Sequence, residues 1–233
     1  MLLHGDKPGL IGGTTKKMRQ KDLLQKKIRE RQQIEKQERR KSILDAARKV
    51  FSEKGYLNAA VRDIALEASL SPGLIYHYYE GKDELYGAIC EEAFHILLDC
   101  CGKGSSGEGT ALDRLLAMAR AYVRYYKEYP QYFDILSFRD LGFKKVNISA
   151  SVLEGIERLS NGVLEGMQEL VVECMREGSI RRTDDPRGVA LCFWAAVEGL
   201  IFIDKRGYLE TFQCDLDPLL NDMMTILLLG AKP

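Results

Sequence analysis

The sequence predicts an all-α chain, with an N-terminal three-helix helix-turn-helix domain followed by a larger C-terminal helical domain. Three observations predict it. Apolar residues recur at helical spacing in segment after segment, no run of segments alternates convincingly like strands, and Val61 to Leu85 carries the pattern of two short helices joined by a tight turn. In that stretch Val61, Ile64, Ala65 and Ala68 share one helical face, and Ala65 is small where a second helix must cross closely. Leu70 and Ile75 supply the apolar residues that such a crossing buries. Ser71 followed by Pro72 reads as an N-cap with proline at the first helical position. The second helix of such a motif can lie in the major groove of DNA.

Taken in order, residues 1 to about 15 are Gly-rich and lack periodicity, so they are expected to be disordered. Lys16 to Lys41 holds 12 Lys/Arg against 4 Asp/Glu, a local net of +8 in a chain whose formal net charge is zero. Asymmetry of this kind points to a polyanionic partner at one end. The composition favours helix, and Leu24, Ile28 and Ile34 give only a thin apolar stripe. Two readings stand side by side: a solvated arm that extends the first helix backwards, and an arm that touches DNA phosphates or the adjacent minor groove. The first domain helix is expected over roughly 35–54, with Ile43, Ala46, Ala47, Val50 and Phe51 on one face and Gly55 as its C-terminal cap. After the motif, Lys82 to about Cys100 reads as a long helix that leaves the small domain and enters the next.

Gly102 to Gly109 reads as a flexible linker. Gly102, Gly104 and Gly107 satisfy GxGxxG, but that fingerprint needs a preceding strand in a βαβ unit, and a helical segment precedes it here. Further helices are expected from Ala111 to about Glu128, from Pro130 to Phe138, from Ile148 to about Arg176, from Asp185-Pro186 to about Ile203, and from Asp217-Pro218 to about Leu229. The domains then divide as 1–32, a basic arm ranging from disordered to helical; 33–82, the helix-turn-helix domain; and 83–233, the larger domain.

At 233 residues the chain is long enough for two such domains, and its 45% hydrophobic content is ordinary for a water-soluble globular protein. No apolar run is judged to approach the roughly 20 residues a bilayer span needs, so a cytoplasmic location and no membrane partner are expected. Leu2, Leu3, Leu10 and Ile11 are interrupted and form no signal-peptide core. The six cysteines lack CxxC or zinc-ligand spacing and read as reduced, packed thiols; a redox role for the Cys100-Cys101 pair is the minority reading. No metal, cofactor or catalytic residue is expected. Apart from His77, the histidines are His4 and His95, and neither has a nucleophile or ligand partner at useful spacing. HExxH, GxSxG and P-loop patterns are absent.

Phe51, Gly55-Tyr56, Val61-Arg62-Asp63-Ile64-Ala65, Leu70-Ser71, Gly73, Ile75-Tyr76, Tyr78-Tyr79, Lys82 and Glu84-Leu85 together resemble the N-terminal domain of the TetR family of transcriptional regulators, over roughly residues 36 to 95. The chain departs from the family pattern at three points. Ala59-Ala60 stands where Thr or Ser is usual, Ser69 where the turn usually has Gly, and Tyr79 where Phe is usual. Asn58 is the substitute cap expected for the missing hydroxyl.

The resemblance implies DNA contact at the matching positions of the second motif helix. The residues themselves assign the roles. Ser71 and the Gly73 backbone sit at the helix's amino end, and Pro72 and Leu74 offer only apolar contact to thymine methyls. Tyr76, His77 and Tyr78 can donate to phosphates, Lys82 adds charge, and Arg62 is placed exposed near the backbone, with a surface salt bridge to Asp63 or Glu67 partners as the alternative. Tyr79, with part of Tyr76, is assigned to the core. A single motif reads few base pairs, so a homodimer on two half-sites is expected. The apolar stretches Val189–Ile203 and Met223–Leu229 supply faces for it, and the resemblance likewise implies dimerisation through the last two helices. It also implies a small-molecule effector in the second domain, of unknown identity. Met118, Tyr122, Tyr125, Tyr126, Phe133, Phe138, Met167, Phe193 and Trp194 are its candidate contacts. The expected function is a repressor released by a small apolar or amphipathic effector. An activator or dual regulator of the same fold is the alternative, and a nucleotide-dependent enzyme using the Gly102 loop is the alternative of another class.

Overall fold

The computed structural model describes residues 12–137 and 150–230. Among them are ten α-helices and no strand: α1 Gly12–Asn58, α2 Val61–Glu67, α3 Pro72–Tyr78, α4 Lys82–Ser105, α5 Ala111–Glu128, α6 Pro130–Leu136, α7 Ala150–Glu177, α8 Pro186–Lys205, α9 Tyr208–Thr211 and α10 Leu216–Gly230. The first three helices form a head. α4 to α10 form the body, and α4 is shared, packing against α1 at its start and against α5, α6 and α7 along its length.

The head is held by Ile43, Ala47, Val50, Phe51, Ile64, Ala65, Ile75 and Tyr79, all buried. Gly55, at φ 71°, breaks α1 before one last turn, and Asn58 donates to the Lys54 carbonyl at 3.1 Å. Asn58 therefore closes α1 instead of opening α2. The α2 N-cap is Ala60, which has no side-chain acceptor; its N–H donates to the Asp63 carboxylate at 3.0 Å, the half of a capping box that remains without the hydroxyl. α3 starts on Ser71, whose Oγ accepts from Leu74 N–H at 3.2 Å. Between α2 and α3, Ser69 occupies the left-handed region at φ 55°.

Several expectations need correction. The helical arm starts at Gly12, inside the stretch read as disordered, and runs without interruption into the first domain helix. α4 continues to Ser105, so Gly102 and Gly104 are helical and the loop shrinks to about 106–109. Gly104 is needed for packing: a Cβ there would lie 2.8 Å from the Ala121 Cβ on α5. The short α9 has no counterpart in the sequence reading. α8 is 20 residues long and, by length and composition, apolar enough to cross a bilayer, against the sequence reading. It packs against α5, α7, α9 and α10, and carries Glu198 within its length.

Candidate nucleic-acid interface and effector cavity

α3 turns Ile75 inward and leaves most of its other residues in solvent, and Tyr79, just beyond its end, is turned inward as well. Ile75 is fully buried and Tyr79, just past the helix, is 2% exposed beneath the Arg40 guanidinium, which lies 4.7 Å over its ring. Ser71, Pro72, Gly73, Tyr76 and His77 are exposed, and Leu74 and Tyr78 are half-buried. Tyr76 has 56% of its surface open to water. A Cβ at Gly73 would meet nothing within 4 Å, so no packing inside the chain requires glycine there. Arg62 is exposed on α2, while the acids nearest it in sequence are taken: Asp63 pairs with Lys54 at 2.8 Å and Glu67 with Lys49 at 2.8 Å. The Lys54 hydrogen bond holds the Asp63 carboxyl below the ordinary range. Lys82 is turned inward. Its ammonium donates to the carbonyls of Tyr56 (3.0 Å), Leu57 (3.4 Å) and Ala59 (3.1 Å), and lies 4.5 Å over the Tyr56 ring. That places its charge on the α1–α2 junction, where Tyr56 also donates to Asp83.

In the body, α4, α5, α6, α7, α8 and α10 enclose a cavity of about 430 Å³. Met118, Tyr122, Tyr125, Phe133, Met167, Phe193 and Trp194 line it. Tyr126 does not; its hydroxyl is held by Asp204 at 2.8 Å. Phe138 lies outside the described residues. The walls also include residues that sequence reasoning passed over: Cys101, Ser137, Ser160, Asn161 and Glu198. Glu198 accepts from the Tyr122 hydroxyl; burial raises its pKa, against the lowering effect of that bond. Burial in turn raises the Tyr122 pKa, with the Glu198 charge adding to it. Cys101 is pushed up to about 12 by burial and Cys100 is raised by the same cause, which leaves both thiols poor nucleophiles near neutral pH.

One helix joins the cavity to the head. Phe133 of α6 lines the cavity, while its neighbours Gln131 and Tyr132 hold Arg48 of α1: Nε donates to Gln131 at 3.2 Å, Nη1 donates to the Tyr132 hydroxyl, and the guanidinium lies 4.5 Å over the Tyr132 ring. Asp134 of the same helix pairs with Lys205 of α8.

Residues 43–89, the stretch that builds α2, α3 and the two helix segments flanking them, match the family described as bacterial regulatory proteins, tetR family. The chain's head is that of the TetR family of bacterial regulatory proteins. Its relatives include the HTH-type transcriptional regulator HbdR of Aromatoleum sp. (strain CIB), 49% identical over 49 residues, which is 21% of each chain. The HTH-type transcriptional regulator PksA of Bacillus subtilis (strain 168) is 27% identical over 172 residues, 72% of this chain and 79% of that one. The chain thus aligns with about a fifth of HbdR, but with most of PksA. Among solved structures, the regulator FadR of Bacillus subtilis in complex with stearoyl-CoA superposes with a TM-score of 0.66 at 18% identity, covering 80% of this chain and 96% of that one. At that identity the likeness speaks for the fold. The TetR-family head is the part that local spacing in the sequence announces, which is why its residues were legible and the cavity's polar residues were not.

Proposed function

We propose that this TetR-family chain is a homodimeric repressor which a small apolar or amphipathic effector releases from operator DNA. The observation that carries the reading is the division of α3: Ile75 anchors it in the head, while Gly73, Tyr76 and His77 stand exposed to solvent. In a major groove, Ser71, Pro72, Gly73 and Leu74 would lie against base edges, and Arg62, Tyr76, His77 and Tyr78 would reach phosphates. Lys82 holds the α1–α2 junction that aims them.

The dimer forms through α8 and α10, where Leu191, Trp194, Phe202, Ile203 and Ile226 are large apolar residues left exposed by the single chain. The effector occupies the 430 Å³ cavity, within the ordinary range of small-molecule sites. A structural neighbour bound to stearoyl-CoA supports a ligand with an apolar part. An occupant that favours one of two α6 positions moves the head through Arg48, and its differential affinity for the two arrangements sets the response. The regulator acts in the cytoplasm, beside the DNA it controls.

Selecting bound fragments from the source genome tests the reading. They should share a two-fold symmetric site, and Tyr76→Ala should weaken binding to it by about tenfold, roughly 1.4 kcal/mol, at constant salt and with an unchanged thermal melt. Equal binding to all fragments would overturn the assignment.

A further inference from the structure

Glu198 is the one formally charged side chain in the cavity wall among the described residues, and no Lys, Arg or His accompanies it there. We infer that the cavity selects amphipathic cations: molecules with an apolar body and a protonated amine that meets Glu198. The inference rests on the effector reading above and specifies the chemistry of the ligand.

A carboxylate offers about four lone-pair positions, and among the described residues the Tyr122 hydroxyl uses one of them. That donor is neutral, so hydrogen bonding is partly satisfied while no described residue of the wall matches the charge. An ionised carboxylate in an apolar enclosure without a counter-charge is unfavourable, and a ligand ammonium removes that cost on binding. The surrounding rings of Tyr122, Tyr125, Phe133, Phe193 and Trp194 add faces that attract cations. A ligand carboxylate meets the opposite situation, since it would bring a second negative charge to Glu198.

Trp194 is the chain's single tryptophan and lines the cavity together with Glu198, so its fluorescence reports occupancy. The experiment titrates the full-length protein, near neutral pH, with decylammonium, decanol and decanoate, which share a chain and differ in charge. Decylammonium should bind about tenfold tighter than decanol, with decanoate weaker still, and Glu198→Gln should bring the ratio of decylammonium to decanol within about twofold. Decanoate binding as tightly as decylammonium, or a preference that survives in Glu198→Gln, would refute the inference and leave the effector cavity standing. If none of the three perturbs Trp194, the effector reading falls and this inference with it. Should the variant fail to fold, the order of the three ligands on the native chain decides alone.

Discussion

Ser69 shows what a single backbone angle costs. At φ 55° it holds a conformation that disfavours a side chain by about 1–2 kcal/mol, and glycine would hold it freely. Glycine also loosens the unfolded chain, which offsets about 0.4–1 kcal/mol of the gain. Ser69→Gly should therefore stabilise the protein by about 0.5–1 kcal/mol in denaturant titration, with operator affinity unchanged. Glu198 gives the residue scale a pH signature. Its folded-state pKa is raised above the ordinary 4.5, chiefly by burial. Its contribution to stability is thus fully present below 4.5 and is lost as pH rises through the folded value. Relative to Glu198→Gln, the native chain should lose stability as pH climbs through that window, and parallel melting curves from acid to neutral pH would contradict it. The same residue marks the limit of sequence reading: a glutamate within Val189–Ile203 looks like an interruption of an apolar run, and only the fold turns it into the cavity.

At the scale of elements, α1 is unlike the other helices. Every described side chain from Leu23 to Ser42 is exposed, Leu23, Ile28 and Ile34 included, so about 25 Å of helix from residues 23 to 39 rests chiefly on its own backbone hydrogen bonds and exposed pairs such as Arg31–Glu35. An isolated helix is marginal in water and exposed ion pairs add little, about 0.3–0.5 kcal/mol each. Its net positive charge is then best explained by a polyanion alongside. Deleting residues 1–32 should weaken operator affinity and flatten the dependence of log K on log salt, by about 0.9 for each phosphate the arm had neutralised. An unchanged salt slope would return the arm to a solubilising role. That the arm would be basic and helix-prone was legible from its composition; that the helix begins at Gly12 was not, because Gly12 and Gly13 read as breakers. α4 shows the same boundary problem at its other end, where close packing on Ala121 holds Gly104 inside the helix.

At the scale of the whole molecule, the exposed apolar residues of α8 and α10 are where the proposed dimer is tested. Phe202 and Ile226 are 46% and 68% exposed, so charge placed there should leave the fold of one chain intact while opposing association. Phe202→Glu with Ile226→Glu should sediment as a monomer with native helicity and lose most operator affinity, since one head reads one half-site. A dimer that persists would move the interface elsewhere. The proposed dimer would also account for the membrane-like length and composition of α8, since a helix covered on one side by its own chain and on the other by a partner needs few polar residues on either.

The sequence alone determined what depends on near neighbours along the chain: the helical class, the two motif helices, the Ser71-Pro72 start, and the burial of Ile64, Ile75 and Tyr79. Each is written in spacings of one to four residues, the range over which helical periodicity and capping operate. Tertiary structure decided what depends on distant segments meeting. It turned Lys82 onto the carbonyls that end α1, tied α6 to Arg48, and set the Tyr122 hydroxyl of α5 on the Glu198 carboxylate of α8. A cavity is the space that several packed helices leave between them, and no single helix carries its outline.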